Sequence, residues 1–463
     1  MVASDVKGNV VNNNFFEERR MTIGRRRFLR MAGAASALTL AHWALADERE
    51  TQRKSYPALG TFPAGVAGDT AFVGITVPLT GPYSSDGKDQ QYGNELAIEH
   101  LNHGGGLVKK IPTLSGRGVL GKRLTYKVAD SQTQPNTAVE AQTRFIHQNQ
   151  AIVMAGGLSS AVSVALEKLA QREFVVYMIG GSGSNDTTGK DCQRYGFRSQ
   201  PSAYMAAKAL APVVVKALGS KRKAAYLIPD YTYGHTVFDS TSEFTGKLGW
   251  TIAAKQVVPV GTTDFSPYLV NIANSGADVF VNVTFGLDAV ASSKQAKEFG
   301  VLDKMKMVVP NISPFQAAQV GAEIMQGVYG TLDFWWTLAE RNEAARIFVD
   351  SFATKYHYKP RWTAHIAYTQ MLVWADAVER AGTFYPPPVI KALEDGHRLE
   401  MPLGPVYYRA CDHQQVRAVP VVVGKQPSAM RNQEDFFEVV DLVAGESVLP
   451  PCDLFGCKLG PYA

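Results

Sequence analysis

The chain has 463 residues, 46% of them hydrophobic and 19% charged, which excludes disordered and fibrous classes and leaves room for two or more domains at roughly 100–200 residues each. Seven of the 47 basic and three of the 42 acidic residues lie in positions 1–46, so the remainder carries 40 basic against 39 acidic residues. That near-neutral body, with no later basic cluster among aromatics, excludes nucleic acid as a partner.

The N-terminus reads as a separate object. Gly24-Arg25-Arg26-Arg27-Phe28-Leu29-Arg30 precedes the uncharged stretch Met31–Ala46. Its 16 residues fall short of the ~20 a membrane span needs but suit a signal-peptide core. Ala44-Leu45-Ala46 is an A-x-A cleavage site, followed by Asp47 and Glu48. The block R-R-x-F-L-R resembles the twin-arginine export motif, with Gly24 where Ser or Thr is usual. Residues 1–46 are therefore expected to be a twin-arginine signal peptide. Met1 and Met21 both stand as possible starts. No other run approaches 18 apolar residues, so the exported chain is expected to be soluble.

Residues 47–70 read as an irregular lead-in. From Ala71 the chain alternates apolar strand patterns with helical spacing. Ala71–Leu79, Leu124–Asp130, Ala151–Ala155 and Val175–Ile179 are predicted strands. Gln91–Asn102, Pro135–Gln148 and Ser160–Arg172 are predicted helices, with Pro135 fitting the first helical position. The pattern repeats. Ala224–Ile228, Ile252–Val258, Val279–Thr284 and Met307–Val309 read as strands, and Thr232–Leu248, Phe265–Ser275 and Leu287–Phe299 as helices. Asn342–Tyr356 and Thr363–Arg380 are further helices. Pro386-Pro387-Pro388 breaks the chain before one more, ending by Gly396. Val419–Val423 is the last predicted strand, and the tail from Gln433 reads as separate. Continuous apolar strands alternating with helices imply an α/β fold with parallel sheets covered on both faces.

Four cysteines, Cys192, Cys411, Cys452 and Cys457, allow three pairings, and export favours two disulfides. The short loop between Cys452 and Cys457 favours that pair, leaving Cys192 to meet Cys411.

Ligands of open parallel sheets sit beyond the carboxyl ends of the strands. Two such ends here run into Gly156-Gly157-Leu158-Ser159-Ser160 and Gly180-Gly181-Ser182-Gly183-Ser184-Asn185-Asp186-Thr187. Free amides at a helix start, with Ser hydroxyls, form a neutral clamp for an anion such as a carboxylate. Plain turn and capping chemistry would use the same residues. Asp230-Tyr231-Thr232-Tyr233-Gly234 opens a helix, and Phe334-Trp335-Trp336 lies at the expected return between lobes; exposed aromatics there would wall an organic ligand. Dinucleotide loop, nucleophile elbow, Walker loop and metal-ligand spacings are all incomplete or missing. His365 sits in an apolar helix and reads as packed.

These residues resemble the periplasmic binding proteins of branched-chain amino acid ABC transporters. Val73-Gly-Ile-Thr-Val-Pro-Leu-Thr-Gly-Pro resembles the family's opening, and Gly93-Asn-Glu-Leu-Ala-Ile-Glu-His-Leu-Asn-His-Gly-Gly-Gly its first helix and exit. Asp130, Pro135 and Ala138, the Asp230 segment, Asp264-Phe265-Ser266, and Tyr368 with Glu379-Arg380-Ala381-Gly382 follow in the family's order. The resemblance covers about residues 71–425. It implies two doubly wound parallel-sheet lobes joined by three hinge crossovers that close on a ligand. Lobe one would be 71–203 plus 334–400, lobe two 204–333 plus 401–430, and 431–463 a tail holding a Cys pair. The implied ligand set is Ser159, Ser160, Ser182, Gly183 and Ser184 as the carboxylate clamp, with Tyr83, Tyr231, Phe285, Asn311 and Trp336 around it. Asn311 stands where the family's amino-acid binders place a Glu for the ammonium, with Asp288 a possible substitute, and Leu107–Gly121 is longer than the family pattern.

The reading is a non-enzymatic substrate-binding component of an ABC importer, without cofactor or metal, monomeric, in the periplasm. It would deliver a carboxylate-bearing, amino-acid-like or aromatic acid solute to permease subunits. An exported ligand sensor of the same fold and a twin-arginine-exported enzyme are the alternatives.

Overall fold

The computed structural model describes Val66 and residues 68–462; the expected signal peptide lies outside them. Fifteen strands form three sheets among the described residues. β1 (Thr70–Val77), β2 (Arg123–Asp130), β3 (Ala151–Gly156), β4 (Val176–Ile179) and β5 (Gly196–Arg198) make the first, in the order β2-β1-β3-β4-β5 and parallel throughout. Its inner strands β3 and β4 are buried at every residue, because helices cover both faces and no alternation survives. Its principal helices are α1 (Ser84–His103), α2 (Pro135–Asn149) and α3 (Ser160–Glu173).

The chain then crosses to a second lobe through α4 (Ala203–Leu218), α5 (Thr232–Lys247), α6 (Ser266–Ala273), α7 (Gly286–Glu298) and α8 (Pro314–Val320). β6 (Lys223–Pro229), β7 (Thr251–Val258), β8 (Val279–Asn282), β9 (Lys306–Asn311) and β10 (Tyr329–Thr331) repeat the first arrangement as β7-β6-β8-β9-β10, again parallel. The chain returns through α9 (Glu343–Tyr356), α10 (Trp362–Ala381) and α11 (Pro386–Glu394), and α10 packs along α1 of the first lobe. The architecture is the expected α/β one, with two parallel-sheet lobes joined by crossovers.

Several elements differ from expectation. α1 begins seven residues before the predicted Gln91, because its first turns bury Asp86, Asp89 and Gln90 rather than apolar side chains. α4 carries Pro212 in its interior and an almost unbroken apolar sequence, so neither spacing nor propensity marks it. The prolines at 386–388 open α11 instead of ending a segment before it, as the fixed proline φ suits a first helical turn. The Leu107–Gly121 segment is fastened to α10, Thr113 Oγ1 donating to Asp376 at 2.6 Å and the Leu120 amide to Glu379 at 2.6 Å.

The end of the chain departs most. β11 (Leu399–Met401), β12 (Gly404–Tyr408) and β13 (Gln415–Val416) form a small antiparallel sheet that bridges to β5 through Arg198 and Gln414. β14 (Val419–Gly424) joins the second lobe antiparallel to β10, and β15 (Phe437–Val443), expected in a separate tail, pairs with β14. The final residues then return to the first lobe. There Arg194 donates to the Gly460 carbonyl at 2.9 Å and Tyr462 to Glu394 at 2.5 Å.

Two disulfides pin this strap, but not in the expected pairing: they join Cys192 to Cys457 and Cys411 to Cys452. The Cα separations of 5.5 and 5.9 Å suit a bridge. The tail runs past two anchors in turn, so each of its cysteines meets a different one and the short Cys452–Cys457 loop stays open.

Candidate functional site

Strand order reverses at β1, which has β2 on one side and β3 on the other. The crevice this creates lies beyond the carboxyl ends of β1 and β3. Tyr83 follows β1, Ser159 and Ser160 follow β3, and Ser182–Ser184 follow β4.

The five clamp residues come together, in unequal states. The Ser184 amide donates to Ser160 Oγ at 3.2 Å, leaving the Ser160 hydroxyl proton uncommitted. Ser159 stands at the N-cap of α3 without a capping bond from its side chain. Ser182, by contrast, pairs with Thr187 at 2.6 Å, and Ser184 with Thr232 at 2.7 Å while accepting from the Asp186 amide. Arg198 is buried beneath and donates to the carbonyls of Ser182 and Ser184 and to Thr188 at 2.5 Å. Burial lowers its guanidinium to about 10, with Asp412 and Glu167 opposing. The free donors are thus the Ser159 and Ser160 hydroxyls, the first-turn amides of α3, and the Ser182 and Gly183 amides, for which no protein acceptor is present among the described residues.

The second lobe closes over this clamp. The Tyr83 and Tyr231 hydroxyls lie 3.3 Å apart, and Tyr83 meets the Phe285 ring edge-on at 5.1 Å. The Leu287 amide donates to the Pro82 carbonyl at 3.1 Å. Gly286 has φ +60, and a Cβ there would stand 2.3 Å from the Pro82 oxygen, so the lobes approach this closely only because the residue is glycine. Gly183 plays the same part on the other side, where a Cβ would stand 2.9 Å from the Tyr233 ring and 3.1 Å from Asn311. Asn311 is hydrogen-bonded to Tyr233.

Three residues at the site escaped the sequence reading. Asp86 is fully buried and accepts from Trp362 Nε1 at 2.8 Å and from Ser313 Oγ at 3.2 Å. Burial pushes its carboxyl up to about 6, against the Trp362 hydrogen bond and the Arg361 charge. Trp362 meets Phe285 edge-on at 5.9 Å. Asp86 lies ahead of Gln91, where the predicted helix starts. Trp362 fell one residue before the predicted helix, and Ser313 caps a helix with no predicted pattern. Asp288, weighed from sequence, accepts from the Gly261 amide at 2.8 Å, and burial raises it to about 6.

Trp336 does not join this group. It lines a separate cavity of about 270 Å³ with Pro314, Lys359, Arg361 and Phe436. His365 is packed as expected: it stacks on Phe334 at 4.7 Å, its Nδ1 lies 3.1 Å from Asp333, and burial lowers it to about 4. Among the described residues no cluster of three or more His, Cys, Asp or Glu is arranged to hold a metal ion.

A periplasmic binding protein family model matches residues 70–428. The chain belongs to the periplasmic binding protein family. A Leu/Ile/Val-binding protein homolog of Brucella abortus is 25% identical over 315 residues, which is 65% of this chain and 73% of that protein. A periplasmic binding protein from Burkholderia mallei superposes with a TM-score of 0.76 at 22% identity, covering 84% of this chain and 98% of that one. An ABC-transporter solute-binding protein from Rhodopseudomonas palustris, in complex with 3,4-dihydroxybenzoic acid, superposes with a TM-score of 0.70 at 20% identity, covering 81% and 97%. The two parallel-sheet lobes are therefore the family's fold.

Proposed function

We propose that this periplasmic binding protein is the substrate-binding component of an ABC importer, holding a small carboxylate-bearing solute between its lobes and presenting it to permease subunits. The uncommitted donors of Ser159, Ser160, Ser182 and Gly183, gathered at one strand-end crevice, carry the reading. They match the two oxygens of a carboxylate, and the α3 N-terminus adds its dipole. Tyr83, Tyr231, Phe285 and Trp362 supply flat apolar walls for the body of the solute. The ligand is an aromatic or aliphatic acid without an α-amine. Asn311 offers a neutral amide where an ammonium would need a carboxylate, and an unpartnered buried ammonium costs several kcal/mol. Asp86 and Asp288 are already engaged by donors of the protein itself. The dihydroxybenzoate-bound relative of the same fold supports an aromatic acid, and the Leu/Ile/Val-binding homologs name the competing class.

A thermal-shift screen tests this. Benzoate and related amine-free acids should raise the melting temperature. The reading fails if leucine, isoleucine or valine stabilises strongly while those acids do nothing. Export to the periplasm through Arg25 and Arg26 belongs to the same proposal: replacing both by Lys should leave precursor in the cytoplasm, and normal export would overturn the twin-arginine reading.

A further inference from the structure

The cavity beside Trp336 combines features that the main cleft does not explain. Its apolar lining comes from the Trp336 and Phe436 rings with Pro314 and Ala318. Trp336 Nε1 is buried without a hydrogen-bond partner, and native structures rarely leave a buried donor in that state. Lys359 and Arg361, both half-buried on the cavity wall, form no ion pair among the described residues. Lys359 Nζ stands 6.0 Å from the centre of the Trp336 ring. Arg431 lies over the same ring at 5.2 Å, but Glu340 and Asp435 already hold it. Glu434 is the acid of the lining and is exposed at the rim. The wall is also shared between lobes: Pro314 and Ala318 belong to α8 of the second, while residues 359–361 lead into α10 of the first.

We propose that this cavity is a second binding site, distinct from the clamp at Ser159–Ser184, for a small organic carboxylate of about one ring in size. The indole N–H, Lys359 and Arg361 would take the carboxylate oxygens, a charge-assisted set, while Trp336 and Phe436 face the apolar body. The volume of about 270 Å³ sits just under the ~300–1,000 Å³ usual for larger ligands, so a single-ring acid suits it and a two-ring one does not. Selection against cations follows from the two basic groups, of which Arg361 also acts on the buried Asp86 and Asp89 behind it, and selection against inorganic anions from the aromatic walls.

Isothermal titration of the purified protein with benzoate tests the site, using variants that separate it from the main cleft. Trp336→Phe keeps an aromatic wall but shrinks the indole to a phenyl and removes the N–H, and Lys359→Gln removes a half-buried charge without touching the core. Wild-type protein should take two equivalents. Each of these variants should weaken one equivalent by about tenfold or more, while Ser160→Ala should weaken only the other. One equivalent that responds to Trp336→Phe but not to Ser160→Ala would support the second site and count against the aromatic-acid reading of the cleft. One equivalent sensitive to Ser160→Ala alone, or no benzoate binding at millimolar concentration, would overturn the second site. Should Trp336→Phe fold poorly by circular dichroism, Lys359→Gln decides alone. A titration with sulfate in place of benzoate should show no binding there, and equal binding of both would refute the organic-carboxylate assignment.

Discussion

The two lobes share a strand order but contribute differently to the cleft between them. The first supplies hydroxyls, amides and a buried carboxylate, held by a polar network around Arg198 and by the contacts of Asp86. The second supplies Tyr231, Phe285, Asn311 and Asp288, and its rings meet Tyr83 and Trp362 of the first. The first is also braced from outside, since α9 to α11 return to it and the disulfide-pinned strap ends on it. The lesson is a division of labour. In the proposed function, the first lobe holds its polar groups in place before a ligand arrives, and the second completes the enclosure.

Breaking the brace should have the largest effect. Cys457→Ser frees the strap from Cys192 and should cost about 2–5 kcal/mol in chemical denaturation; a change under 0.5 kcal/mol would show that the strap does not stabilise the first lobe. Asp86 comes next. Burial raises its carboxyl from 3.8 to about 6, so the folded chain binds that proton more tightly than the unfolded one. Its contribution is full below pH 3.8 and is lost as pH rises through about 6, on the order of 2–3 kcal/mol. Asp86→Asn should flatten that decline in stability, and an unchanged profile would place its origin elsewhere. Ser160→Ala should weaken benzoate in the main cleft by about tenfold, with little effect on melting temperature. Smallest is Tyr231→Phe, which removes the hydroxyl contact to Tyr83 across the lobes. It should cost about 0.5–1.5 kcal/mol of closed-state stability, read as a fall in the ligand-induced melting shift rather than in the shift-free value.

The same division explains what could be read in advance. Parallel strands and their helices were legible because long apolar runs and 3.6-residue spacing follow from burial on both faces. β5, β10 and β11–β13 have only two to five residues each, too short for periodicity to speak. The clamp residues were legible from glycine and serine at strand ends. Their division into committed and free donors was not, because Thr187, Thr232 and Asp186 reach Ser182 and Ser184 only after folding. Asp86 and Trp362 are separated by 276 positions, a pairing that local pattern cannot express. Trp336 read as a cleft aromatic because its sequence lies at the return between lobes; the following 3-10 turn carries it to the neighbouring cavity instead.

The strap also constrains how the molecule can be completed. Cys192 and Cys457 are 265 positions apart, and the whole second lobe is written between them. A chain oxidised as it emerges would present Cys192 first with Cys411 and then with Cys452, both wrong partners, and would close the correct bond only once Cys457 had appeared. Correct pairing is therefore a property of the finished molecule, reached either by folding before oxidation or by exchange between thiols and disulfides afterwards.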